Sequence, residues 1–210
     1  MCGTTSLADA SEAARLGVDA IGLIFVEKSP RYITPEKAIE ITTKLPPFIT
    51  KVGVFVNEEK EEIEEIVRYL GLNGVQLHGE EDRSFCSDLA NAMPTCSILK
   101  AIGVGSHTSR EDFLPFCDVV KGFVVDTYVK GQEGGTGKTF DWDILEKVQL
   151  KTPLILAGGL SPDNIQNALR TVAPFAVDVN SGIELATGKK DHAKLKSFIE
   201  KVRESDSSHL

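Results

Sequence analysis

The sequence predicts an α/β protein, a single-domain (β/α)8 TIM barrel whose first strand is truncated at the N-terminus. Three observations carry this reading. Short apolar runs alternate with amphipathic helical segments at a spacing of roughly 25 residues, the pattern of βα units around a parallel sheet. One segment also recurs: Leu16-Gly17-Val18-Asp19-Ala20-Ile21-Gly22-Leu23 is echoed by Leu70-Gly71-Leu72-Asn73-Gly74-Val75-Gln76-Leu77. That repeat spans two units, as a closed ring of them produces, although an open doubly wound sheet would share part of the signal. The glycine fingerprint GxGxxG that such an open sheet carries after its first strand is missing, which favours the barrel.

Taken in order, Met1-Cys2 stands where strand one should be, and after Cys2-Gly3, Ser6 caps a first helix running to about Gly17. Ala20 to Phe25 is a strand, and Thr34 with Pro35 opens a helix that ends before Pro46-Pro47. Lys51 to Val56 is a strand, Glu58 to Leu70 a helix, Gly74 to Leu77 a strand and Glu81 to Ala92 a helix. Ser97 to Ala101 is the next strand, with a weaker helix near Arg110 to Phe116 and a strand from Val119 to Asp126. A glycine-rich loop follows, then a helix from Asp141 to Val148. Pro153 to Ala157 and Ala173 to Val179 hold the last two strands, with a helix from Ser161 between them and another from Asp191 to Val202. Because a barrel strand needs about five residues, Met1-Cys2 leaves the strands at Ala20 and Val179 facing a gap with unpaired backbone groups.

The 210 residues suit one catalytic domain over 1–203, with a disordered tail at 204–210. Hydrophobic residues at 41% and charged residues at 26% fit an ordered globular chain. A net charge of -8 excludes a nucleic-acid partner, which would demand a basic surface. It leaves room for an anionic small molecule held by local donors. Cys2, Cys86, Cys96 and Cys117 form no CxxC pair, so neither a metal site nor a disulfide framework is expected, and a reducing cytoplasm fits best. No leader and no apolar run near 18 residues suggests a membrane.

Chemistry in such a barrel sits at the carboxyl ends of strands. Gly158 and Gly159 close one apolar run and Ser181 and Gly182 the next, placing two neighbouring loops with bare backbone amides where a phosphate is usually held. Tight turns alone would also use these glycines. Asp126 ends Gly-Phe-Val-Val-Asp beside the loop Tyr128 to Thr139, which reads as a lid, and partial desolvation there suits a general acid; the alternative is a capping aspartate. Cys2 precedes a helix start, where amides and the dipole favour a thiolate base or nucleophile, though a small buried apolar role fits it too. Arg31, on a rim loop, offers a fork to a carboxylate or is a plain surface residue. His78 faces the ligand or a neighbouring strand end, and Asp178 faces the mouth only if Val177 and Val179 face the helices.

The chain closely resembles the phosphoribosylanthranilate isomerase family over Cys2 to about Arg203. The resemblance rests on Cys2-Gly3 with Thr5, Lys28-Ser29-Pro30-Arg31-Tyr32-Ile33, Val52-Gly53-Val54-Phe55-Val56-Asn57 and Gln76-Leu77-His78-Gly79. It extends through Gly134 to Trp142, Ala157-Gly158-Gly159-Leu160 and Asp178-Val179-Asn180-Ser181-Gly182-Ile183-Glu184. It implies an Amadori rearrangement of N-(5-phosphoribosyl)anthranilate in tryptophan biosynthesis, with Asp126 as acid and Cys2 as base. It also implies phosphate on Gly158, Gly159, Ser181 and Gly182, and Arg31 near the anthranilate carboxylate. His78 and Asp178 fall at further substrate positions. No metal or organic cofactor is implied, and the chain would act as a monomer or homodimer. A sugar-phosphate-binding barrel whose catalysis was lost with strand one is the competing expectation.

Overall fold

In the computed structural model, which describes residues 1–127 and 142–207, apolar runs become the strands of one rolled parallel sheet. These are β1 (Ala20–Ile24), β2 (Thr50–Phe55), β3 (Gly74–Leu77), β4 (Ser97–Val104), β5 (Gly122–Thr127), β6 (Leu154–Leu156) and β7 (Ala176–Val177). They lie side by side in chain order. Helix α1 (Leu7–Arg15) leads into β1; the order requires each strand to return by a crossover, and helices α2 (Pro35–Thr42), α3 (Lys60–Leu70), α4 (Arg83–Ala92) and α5 (Ile165–Val172) supply most of the returns. Ser6 caps α1 by accepting from the Asp9 amide, and Thr34 caps α2 ahead of Pro35.

Alternation along the strands sorts two cores. Ile21, Leu23, Phe55, Val75, Leu77 and Ile98 point outward and join Ala10, Ile41, Ile63, Val67 and Leu89 of the helices in one buried cluster. Ala101, Val124 and Ala157, packed with Leu99 and Ile155, fill the interior. A β strand has period two, so residues two places beyond these interior ones, among them Asp126, emerge at the carboxyl mouth.

The expected gap beside strand one is closed at its upper half. Met1 donates to Ala20 O at 2.9 Å and accepts from Gly22 N at 2.8 Å, while Cys2 N donates to Val179 O at 3.0 Å and Thr4 N to Gly22 O at 3.0 Å. Four terminal residues thus stitch β1 to the chain beyond β7. Below them lies a cavity of 440 Å³, running from Gln76 and Val124 in the interior out past Ala20 and Ala176 to Phe198. Between β1 and β7 there is therefore a cavity below Met1–Thr4 rather than an open edge along the full length.

Several expected elements shorten or change. Arg110–Asp112 and Leu114–Phe116 are separate 3-10 turns, since Pro115, lacking an amide, is tolerated at the start of the second but would break one helix running from Arg110 to Phe116. Trp142–Lys147 is also 3-10. An unforeseen antiparallel hairpin joins β8 (Glu184–Ala186) to β9 (Lys189–Lys190). The last helix, α6 (His192–Ser207), overruns its expected end. Residues 204–207 are thus helical, not a disordered tail; 208–210 lie outside the described residues, as does the expected lid from Tyr128 to Thr139. No helix among the described residues is long and apolar enough to cross a membrane.

Candidate active site

One side of the mouth is built on the fully formed strands β3 to β5. Asp126 follows Val124 on the inward face of β5, its side chain 14% exposed, and His78 Nε2 stands 3.8 Å from its Oδ2. His78 comes one residue after β3; its amide donates to Phe55 O at 2.8 Å. Its Nδ1 lies 3.0 Å from Nε2 of the buried Gln76. Beyond His78, a buried ion pair fixes the loop. Lys100 Nζ donates to Glu81 Oε2 at 2.8 Å and to Gly79 O at 2.6 Å. Glu81 Oε1 accepts from the Asn57 amide at 2.8 Å, and its Oε2 from the Gly79 amide at 2.9 Å. The loops after β2 and β3 are thereby clamped to β4. Reading the sequence for strand-end residues missed Lys100 and Glu81; the signal available was a lysine interrupting Ile98-Leu99-Lys100-Ala101-Ile102.

The other side is the terminal seam. Cys2 is buried, and its Sγ packs where a Cβ on Gly22 would come within 2.8 Å of it, so only glycine fits opposite. Burial first, then the nearby Asp178 carboxylate, push the thiol up to about 12 against the opposing charges of the terminal amine and Lys190 and the Gly3 amide. This corrects the expectation that amides and a helix dipole favour a thiolate at rest. The helix starts only at Leu7, beyond the range over which its first turn acts strongly, and desolvation wins. Val177 and Val179 pack with the outer core, which meets the condition for Asp178 to face inward. Its Oδ1 lies 3.8 Å from the terminal ammonium.

Arg31 is buried, not a loose surface residue. Its Nε and Nη2 both donate to Glu184 at 2.8 Å, and Lys190 Nζ reaches Glu184 at 3.2 Å and Asn180 Oδ1 at 2.8 Å. Burial works against the Glu184 charge, yet the Arg31 hydrogen bonds and the Lys190 charge hold its carboxyl below the ordinary range. One edge of the Arg31 fork is therefore spoken for within the chain, and a ligand carboxylate would meet the opposite edge.

The loops after β6 and β7 form the third part. Gly158 and Gly159 have φ of 79° and 65°, the left-handed region that favours glycine. Asn164 braces this turn, accepting from Ser161 N at 2.9 Å and donating to Gly159 O at 2.9 Å. The amides of Gly158, Gly159, Ser181 and Gly182 donate to no group among the described residues. Half-buried amides left undonated on two adjacent loops make an anion cradle. Among the described residues no cluster of three His, Cys, Asp or Glu is placed to hold a metal.

Known proteins share the fold that carries these residues. The family model of N-(5'phosphoribosyl)anthranilate (PRA) isomerase matches residues 1–201. The N-(5'-phosphoribosyl)anthranilate isomerase of Thermotoga petrophila is 44% identical over 205 residues, covering 97% of both chains. The crystal structure of the phosphoribosyl anthranilate isomerase of Thermotoga maritima superposes with a TM-score of 0.84 at 41% identity, covering 97% of each chain. Another phosphoribosyl anthranilate isomerase structure, at 39% identity and a TM-score of 0.80 over 97% of this chain and 96% of that one, holds reduced 1-(o-carboxyphenylamino)-1-deoxyribulose 5-phosphate. A match that spans both sides of the mouth and both glycine loops places this chain in the N-(5'-phosphoribosyl)anthranilate isomerase family.

Proposed function

We propose that this protein converts N-(5-phosphoribosyl)anthranilate to 1-(2-carboxyphenylamino)-1-deoxyribulose 5-phosphate in tryptophan biosynthesis, with Asp126 as general acid and Cys2 as general base. The observation that carries the assignment of roles is the placement of Asp126 at the mouth, beside His78 and on the strand end that alternation dictates. Asp126 gives a proton to the ribose ring oxygen; the ring opens and the anthranilate nitrogen becomes an iminium. Cys2 removes the proton from the adjacent sugar carbon, and the electron pair moves to the iminium nitrogen, giving an enol that tautomerises to the ketose. Burial holds the Cys2 thiol up at about 12; the iminium cation arriving next to it adds to the charges that lower it, and its proton passes to the nearby Asp178 carboxylate, leaving the thiolate to act as base. The base is thus switched on by the first half of the reaction.

The amides of Gly158, Gly159, Ser181 and Gly182 take the phosphate, and the free edge of Arg31 takes the anthranilate carboxylate. Asp178, beside Cys2, orients the sugar hydroxyls. The substrate's own nitrogen is the electron sink, so the chain's residues suffice for the proton transfers. A cytoplasmic monomer or homodimer fits this reading. Replacing Asp126 by Asn tests it: turnover should collapse with the melting transition retained, and full turnover would remove Asp126 from the acid role.

A further inference from the structure

Gln76 has no role in the rearrangement as derived above, yet it is a buried amide inside an apolar barrel, where a polar group is costly unless bonded. It projects into the cavity beneath the site, and its Nε2 faces His78 Nδ1 at 3.0 Å. With Gln76 Nε2 turned to the ring, Nδ1 accepts, since an amide nitrogen only donates, and the neutral ring then carries its proton on Nε2. The far side of the ring points to the same tautomer independently. Nε2 faces the Asp126 carboxyl at 3.8 Å; once Asp126 has given up its proton, an N–H there is attracted to the carboxylate, whereas a lone pair would be repelled.

We propose that Gln76 is a positioning residue that locks His78 as a donor toward Asp126, so that the acid's conjugate base is stabilised at the moment it forms. The proposal rests on Asp126 as the acid. When Asp126 passes its proton to the ring oxygen, the new carboxylate charge on Oδ2 meets an N–H already aimed at it; His78 keeps its proton throughout. The 3.8 Å separation lies beyond a direct hydrogen bond, and such contacts tighten as charge develops. The backbone that carries the ring is fixed, its own amide tied to Phe55 O and both backbone groups of Gly79 held by Glu81 and Lys100, and Gln76 meets the ring itself. With the other tautomer, the developing carboxylate would face a lone pair and gain nothing.

The test is the 15N spectrum of the imidazoles in the ligand-free full chain at about pH 8.5, where an ordinary imidazole is neutral. His78 is identified by its absence from a His78→Asn spectrum. Wild type should show a protonated Nε2 and a bare Nδ1. In Gln76→Glu, which sets an acceptor opposite Nδ1, the proton should move to Nδ1 or occupy both nitrogens. Gln76→Leu should lower kcat by about ten- to a hundredfold, as loss of one hydrogen bond to a charged group does, with KM changed less than about twofold. A wild-type ring protonated on Nδ1 overturns the proposal, even if the variants fail to fold. So does a Gln76→Glu chain whose tautomer shifts while kcat stays unchanged. Undiminished turnover in Asp126→Asn would instead defeat the assignment of the acid, and the wild-type spectrum would still decide the tautomer.

Discussion

The two halves of the mouth are made in different ways. Asp126 and His78 sit on the ends of β3 to β5, paired on both sides in continuous parallel register, and the Lys100–Glu81 pair bolts the adjoining loops together. Cys2 sits on a four-residue terminal segment and Asp178 one residue past a two-residue strand, above a 440 Å³ cavity. The proposed acid is therefore held by the sheet and the proposed base by a few terminal hydrogen bonds. Since misplacement by about 1 Å can cost on the order of a hundredfold in rate, the seam is where catalysis is most exposed to mechanical weakness.

The sharpest break of this contrast is chemical. Asp126→Asn should lower kcat by about 10²–10⁴-fold, the range for a lost general acid, and Cys2→Ala by a comparable factor, with both proteins melting near wild type. A fall in Asp126→Asn alone would dissolve the pairing of the two sides. Next in size is Lys100→Met, which leaves Glu81 buried without its partner and should cost about 3–5 kcal/mol in chemical denaturation. Should it cost under about 1 kcal/mol, the clamp is no support for the acid side.

The seam can be strengthened as well as broken. Adding about five alternating apolar residues directly ahead of Met1, the length of a typical strand, should raise the melting temperature, each fully buried Val or Ile contributing about 1.5–3 kcal/mol. The same addition turns the buried terminal ammonium into a neutral amide that keeps its bond to Ala20 O. A Gly-Ser extension of equal length is the control. If both extensions leave melting and turnover alike, the cavity is not a strand's place.

A subtler difference concerns pH. The folded thiol of Cys2 stands at about 12, above its ordinary 9.0, so its contribution to stability is complete below pH 9 and is lost as pH rises from there toward 12. Cys86 and Cys96 shift the same way, to about 11. The Cys2 share is therefore the difference between wild type and Cys2→Ala in melting temperature across that window, with wild type falling faster. The same argument makes Cys2 slow to alkylate at about pH 7–8 in the absence of substrate, since the thiolate is the nucleophile; rapid alkylation would show a resting thiolate.

The strong side of the mouth was the legible side. Asp126 and His78 follow from period two applied to Gly-Phe-Val-Val-Asp and Val-Gln-Leu-His, because alternation fixes direction once a strand is assigned. The glycine loops were legible because positive φ and close approach restrict the residue type. What could not be read was whatever depends on partners distant in sequence: Glu184 taking the fork of Arg31, Glu81 meeting Lys100, and burial outweighing a nearby helix at Cys2. The gap at strand one was anticipated from strand length, but its upper closure by Met1–Thr4 was not, since hydrogen bonds to partners as remote in the chain as Ala20, Gly22 and Val179 leave no local pattern.

The central claim is that the thiol and the carboxyl act on one sugar from two sides while the bare amides grip its phosphate. A structure of this chain with a product analogue bound tests it most directly. The claim predicts Cys2 Sγ and the Asp126 carboxyl each within about 3–4 Å of the sugar, on opposite sides of it, with the phosphate on the amides of Gly158, Gly159, Ser181 and Gly182. A phosphate bound elsewhere, or a sulfur turned away from the sugar, would contradict it.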